Sequence, residues 1–208
     1  MNDDPDLEAA YGLEGPEGSK KLDAQWAQSY DSSFAADMQY RAPNAVAQCY
    51  TRISGASPVL DLGAGTGLLG AELMRLGVSA VDGTDISPEM LAQAKKKGVY
   101  QRLFEGDLTQ QLDFETGAYA GIVSSGTFTH GHVGPEALGE VLRCMARGAW
   151  AVLSVNAAHW EALGFETVLE REAMQIAEWH KDDFALYGKG AQGPHAKDKG
   201  WLLQMRKA

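Results

Sequence analysis

Basic residues are scarce in this chain of 208. Lysine and arginine total 18 against 28 aspartates and glutamates, which leaves a formal net charge of −10. Binding along nucleic acid or an anionic membrane needs a Lys/Arg surface, so neither is expected as a partner. No apolar run approaches the ~18 residues that a membrane helix requires. The opening Met1-Asn2-Asp3-Asp4-Pro5-Asp6 is acidic where a secretory signal is basic and then apolar. These absences predict a cytoplasmic protein. Cysteine is also sparse. Cys49 and Cys144 lie in apolar helical patterns, with no Cys-x-x-Cys or Cys/His ligand spacing. A disulfide framework is therefore not expected, and no metal ligand is assigned. What is present is ordinary for a globular chain, 45% hydrophobic and 22% charged residues, at a length that suits one domain.

Residues 1–18 are acidic and glycine-bearing, which predicts a flexible tail before a single domain over 19–208. Within it, 19–55 reads as helices. Leu22, Trp26 and Tyr30 recur every four residues, a break falls at Asp31-Ser32-Ser33, and Pro43 opens a helix carrying Val46, Cys49, Tyr50 and Ile53. Over 56–208 the pattern changes to strands alternating with helices. Strands are expected at 58–62, 78–83, 99–104, 119–124 and 150–155. Helices are expected from Leu68 to a stop at Gly77, from Ser87-Pro88 to Lys97, and over 135–147. That rhythm predicts an α/β doubly wound, mostly parallel sheet. A helix over 160–172, strand-like stretches in 174–187, a mobile loop over 188–200 and a last strand at 201–205 complete seven strands, the late pair forming an antiparallel hairpin at one edge.

The strongest local signal is Asp61-Leu62-Gly63-Ala64-Gly65-Thr66-Gly67 at a strand-to-helix junction. Glycines there let the backbone turn tightly and let a ligand approach, and the following helix offers free N–H groups. Two ligand classes use this device. Dinucleotides take G-x-G-x-x-G, here Gly65-Thr66-Gly67-Leu68-Leu69-Gly70, in a frame that falls two residues late relative to the strand. S-adenosylmethionine takes a loop with an acid two residues before the first glycine, as Asp61 stands before Gly63.

At these residues the chain resembles the class I S-adenosylmethionine-dependent methyltransferases. Val59 to Gly67 is similar to their first motif, Gly83-Thr84-Asp85-Ile86-Ser87-Pro88-Glu89-Met90 to the second, and Gly106-Asp107-Leu108 to the third. Ser124-Ser125-Gly126-Thr127-Phe128 takes the position after strand four. The resemblance implies S-adenosylmethionine as cofactor, held by Gly63, Ala64, Gly65 and Gly67. It implies Asp85 on the ribose hydroxyls, Ile86 and Met90 on the adenine faces, and Asp107 with Gly106 and Leu108 at the adenine amino group. Asp61 and Ser124 are further cofactor-side candidates, Asp61 with the alternative of pinning the glycine loop. A narrower resemblance links Trp26 to Asp31, Tyr40 to Pro43 and Phe128 to Pro135 with the methyltransferase-like proteins of the Williams–Beuren syndrome region. It implies N-terminal helices folded over the cofactor, with Tyr30 covering the methionine tail and Arg41 pairing with its carboxylate.

Methyl transfer from a sulfonium is an in-line displacement in which the protein mainly positions the reactants. A base is needed only if the nucleophile must lose a proton, and His130 and His132 are the candidates in the segment after strand four. No Asn/Asp-Pro-Pro-Tyr/Phe or Pro-Cys follows that strand, which argues against methylation of amide or adenine nitrogen and of cytosine C5. A small-molecule acceptor is expected, handled by a monomer or homodimer. The alternatives are a cofactor binder without catalysis and an NAD(P)-dependent oxidoreductase, though no Tyr-x-x-x-Lys pair is visible.

Overall fold

The computed structural model describes residues 15–208. Seven strands form one sheet in the order β3-β2-β1-β4-β5-β7-β6. β1 (Val59–Leu62), β2 (Val81–Asp85), β3 (Arg102–Glu105), β4 (Tyr119–Phe128) and β5 (Met145–Asn156) run parallel. β6 (Ile176–Ala185) and β7 (Lys199–Lys207) are antiparallel, with β7 inserted between β5 and β6. Every residue of β1 is buried, as a central parallel strand covered on both faces requires.

The helices are α1 (Gly15–Trp26), α2 (Ala42–Ile53), α3 (Leu68–Arg75), α4 (Pro88–Lys97), α5 (Leu138–Cys144), α6 (Ala157–Leu163) and α7 (Phe165–Arg171). On one sheet face Leu60, Ile122 and Leu142 meet Trp160 and Phe165. On the other, Val59, Val81 and Val152 meet Val46, Tyr50 and Leu73. Tyr50 lies against Gly121, where any Cβ would strike the phenol ring, and its hydroxyl donates to the Ala56 carbonyl at 2.5 Å. α4 starts as its sequence predicts. The Ser87 hydroxyl accepts from the Met90 amide, Pro88 takes the first turn, and Gly98 ends the helix at φ 64°.

Several boundaries differ from the sequence expectation. The part of the expected tail at 1–14 lies outside the described residues, and 15–18 form the first turn of α1. β2 and β3 sit one to three residues later than the apolar pattern suggests. Val78 packs in the core from a loop and Tyr100 reaches down to Asp61, so neither is a strand residue. The 135–147 helix is shorter. A 3-10 turn occupies Pro135–Ala137, and Met145 already pairs with Tyr119 in β5. Gly148, expected as a helix stop, takes φ 76° inside the irregular part of that pairing. Gly164 at φ 65° divides the 160–172 helix into α6 and α7.

The segment over 188–198 joins β6 to β7. Its start is tied to the N-terminal region, since the Gly188 amide donates to Met38 and the Arg41 amide to Leu186. Among the described residues no helix is long and apolar enough to cross a membrane.

Candidate active site

A cavity opens at the carboxyl ends of β1, β2, β4 and β5, the crevice where open α/β sheets place ligands. Its floor is the glycine loop. Gly63, Gly65 and Gly67 have φ of 68°, 53° and 90°, left-handed values that side chains resist. A Cβ on Gly63 would collide with Thr127, whereas one on Gly65 would meet nothing and project into open space. Gly63 is therefore demanded by packing and Gly65 by the turn.

Asp85 ends β2 and locks this loop in place. Its Oδ2 accepts from the Gly65 amide at 2.8 Å and its Oδ1 from the Ser87 amide at 2.9 Å. It is 8% exposed, and burial pushes its carboxyl above the ordinary range. Each carboxylate oxygen keeps a further lone pair for a ligand. Beside it, Ile86, Met90 and Leu108 give apolar walls, and Gly106 and Asp107 close that end. The Oδ1 of Asp107 accepts from both the amide and the hydroxyl of Thr109, fixing the turn.

The roof comes from the N-terminal segment. Ser19, Asp23, Trp26 and Tyr30 recur at helical spacing and all line the cavity. An aromatic ladder continues from them. Ring centroids lie 5.1 Å apart for Trp26–Tyr30, 5.0 Å for Trp26–Phe34, 5.6 Å for Phe34–Tyr40 and 5.9 Å for Tyr40–Tyr187. Two ion pairs help to fasten the roof. Lys20 pairs with Glu105 at 2.7 Å, and Asp31 accepts from Thr66 of the glycine loop and from Lys97.

His132 lines the cavity near this roof. Its Nδ1 lies 2.9 Å from the Ser19 hydroxyl oxygen, and the Gly131 carbonyl lies 3.2 Å from the same hydroxyl, as an acceptor. Burial, with a smaller effect of His159, pushes the His132 imidazole down to about 4, so it is neutral at pH 7. His130 lies instead on the outer side of this loop. Its ring meets that of His159 edge-on at 5.3 Å, and it does not line the main cavity.

Four other sequence candidates also lie off the cavity wall. Arg41 is exposed at the start of α2, because its backbone enters the helix there and the side chain turns outward. Ser124 is fully buried, donating to the Leu62 carbonyl at 2.7 Å, since alternation along β4 points it away from the wall that Ser125 lines. Gly67 faces Ala94 and Tyr100 as the cap of α3. Asp61 is fully buried beneath the loop. It accepts from the Tyr100 hydroxyl at 2.7 Å, and that oxygen accepts in turn from the Gly70 amide at 3.2 Å. Burial pushes Asp61 up to about 7, against the lowering effect of Tyr100. It braces the start of α3 through Tyr100 and does not accept from the loop amides.

The structure adds residues that no local motif marked: Asp23 on α1, Ser154 and Asn156 at the end of β5, and Leu186 and Tyr187 after β6. The 3–4 spacing that marked Trp26 and Tyr30 extends back to Asp23 and Ser19. Asn156 reaches the crevice because it ends β5 beside β4, whereas for Tyr187 the signal is topological, since β6 joins the sheet only through β7.

Comparison with known proteins agrees with this geometry. A family model described as a methyltransferase domain matches residues 59–148, the segment that builds the floor. The human methyltransferase-like protein 27 is 35% identical over 142 residues, which is 65% of this chain and 57% of that protein, so the match spans little more than half of the relative. A S-adenosylmethionine-dependent methyltransferase of Thermotoga maritima superposes with a TM-score of 0.65 at 15% identity, covering 91% of this chain and 99% of that one. A TehB-like methyltransferase of Corynebacterium glutamicum gives 0.63 at 23% identity, covering 90% and 99%. Residues 59–148 thus match a methyltransferase domain, and the seven-stranded sheet has the fold of those solved methyltransferases.

Proposed function

We propose that the chain is a methyltransferase that uses S-adenosylmethionine to methylate a small-molecule acceptor. The observation that carries the reading is one cavity whose floor includes Gly65, Asp85 and Met90 and whose wall includes Phe34, Tyr40, Tyr187 and Asn156; in this reading the first end takes the nucleoside and the second is the acceptor chamber. The residues fit the cofactor. Asp85 retains acceptor capacity, the Gly65 turn has open space above it, and apolar side chains flank where a base would lie. When bound, S-adenosylmethionine supplies a methyl group already activated on a sulfonium.

The chain's own contribution is to bind, orient and exclude water. The aromatic ladder desolvates the chamber, and Thr127, Ser154 and Asn156 offer polar contacts at its floor. His132, with Ser19 beside it, stays neutral and offers a hydrogen-bond partner to the acceptor, while the burial that holds it down at about 4 makes it a weak base for any proton the acceptor must lose. Among the residues lining the cavity there is no lysine or arginine, whereas Asp23, Asp85 and Asp107 are carboxylates. A neutral or amine-bearing acceptor therefore suits the chamber better than an anionic one.

Calorimetry with S-adenosylmethionine, S-adenosylhomocysteine and NAD, run side by side, tests the cofactor. Transfer of labelled methyl from S-adenosylmethionine into a panel of neutral, amine and acidic small molecules tests the reaction. Binding of NAD alone, or binding without transfer to any acceptor, would point to the oxidoreductase or to a non-catalytic binder.

A further inference from the structure

Asp23 stands out on the roof. It lies on the face of α1 that also carries Ser19, Trp26 and Tyr30, all turned to the cavity. Among the described residues no hydrogen bond or ion pair holds its carboxyl group, and the charge it senses is the like charge of Asp85. Burial and that neighbour push it up to about 7. Asp23 is half-buried and faces the like charge of Asp85, so an amphipathic helix that needed only to cover the sheet would be better served by an apolar residue here.

Its place in the fold narrows what it meets. Leu22, Trp26 and Ala27 pack on Met90, in the first turn of α4 directly after Asp85. Lys20 reaches Glu105 at the end of β3. Asp23 therefore hangs over the ends of β2 and β3, the nucleoside half of the recess, while Tyr30 and Phe34 extend toward the acceptor chamber. Asp85 approaches that half from below with both oxygens already accepting one backbone amide each.

We infer that Asp23 is a cofactor-binding residue, accepting from the ribose hydroxyls from above while Asp85 accepts from below. Two hydroxyls supply two donors, so the pair of carboxylates that repel one another in the free protein is satisfied together when the nucleoside is bound. This inference rests on the proposed cofactor and adds a ligand contributed by the roof. It also explains how cofactor binding and closure of α1 are coupled: the closed roof is strained by Asp23 until the hydroxyls arrive.

The test is Asp23→Asn, which preserves shape, with Asp23→Ser as a second variant. Two ligands are titrated by calorimetry, S-adenosylhomocysteine and adenosine, which lacks the amino-acid tail. Melting of the ligand-free proteins is measured alongside. Either variant should lose about tenfold or more in affinity for both ligands by the same factor, while melting a few degrees higher without ligand. Unchanged affinities, or ligand-free variants that melt lower than the unaltered chain, would overturn the inference and assign Asp23 to the fold. Loss confined to S-adenosylhomocysteine would overturn it by placing Asp23 on the amino-acid half. Failure of the unaltered chain to bind either ligand would instead defeat the cofactor reading, and is distinguishable because it needs no substitution.

Discussion

Lys97 and Asp31 form an ion pair that ties the N-terminal roof to the glycine loop. One ammonium group, at the end of α4, donates both to the Asp31 carboxylate and to the Thr66 carbonyl at 2.5 Å. Asp31 also accepts from the Thr66 hydroxyl, so the roof, the glycine loop and α4 meet at one ion pair. The pair is partly exposed, with side chains 25% and 38% accessible, which limits its worth to about 1 kcal/mol. Lys97→Met should weaken S-adenosylhomocysteine binding about fivefold. The wild-type affinity should also fall with added salt more steeply than that of the variant.

The same geometry predicts a roof that opens. Leu22, Trp26, Ala27 and Met90 form a small cluster apart from the two main cores, so α1 should unfold locally before the sheet does. Hydrogen exchange over 19–42 should slow markedly when S-adenosylhomocysteine is added, whereas exchange over 138–144 should change little. Deleting residues 1–40 should leave a folded sheet with much weaker cofactor affinity. Equal protection with and without ligand would make the roof a permanent part of the core.

Asp85 has a double duty that shapes how it should be probed. Removing the side chain also frees the Gly65 and Ser87 amides, so Asp85→Ala perturbs the loop as well as the proposed ligand contact. Asp85→Asn keeps the shape and should cost about 2 kcal/mol of cofactor binding, roughly thirtyfold, the scale of hydrogen bonds to a charged group. Gly65→Val should abolish binding, because the φ of 53° resists a branched side chain and the added methyls enter the recess. A melting temperature that stays within several degrees of wild type would show that the fold survives.

Asp61 makes stability depend on pH. Burial raises its carboxyl from 3.8 to about 7 in the folded protein. Between those values the folded state holds a proton that the unfolded chain has released. Its contribution is therefore present at low pH and is lost as pH rises from about 4 to about 7. Asp61→Asn, which can still accept from Tyr100, should flatten the fall in melting temperature over this window. A variant whose pH profile matches that of the wild type would remove Asp61 as the cause.

What the sequence made legible was the floor. The glycine loop, Asp85 and the Ser87-Pro88 start are local features whose spacing directly dictates backbone geometry. The roof was legible only in its aromatic spacing, because an Asp such as Asp23 inside an amphipathic pattern is indistinguishable from a solvent-facing residue. Ser124 and Ser125 differ by one position on β4, and only the sheet's actual register decides which one faces the cavity. Arg41 illustrates the reverse case, where a charge close to the site in sequence is carried outward by the helix it begins. Tyr187 was hidden because its position depends on residues far along the chain.

The insertion of β7 between β5 and β6 has a consequence for biosynthesis. β6 leaves the ribosome first yet has no neighbour to pair with until β7 follows, so its backbone amides wait unpaired for that whole interval. Until then β5 is a bare edge, and Leu186 and Tyr187 have no fixed place. The part of the cavity wall that Leu186 and Tyr187 supply is thus assembled last, after the glycine-loop floor has had time to form on the emerging chain.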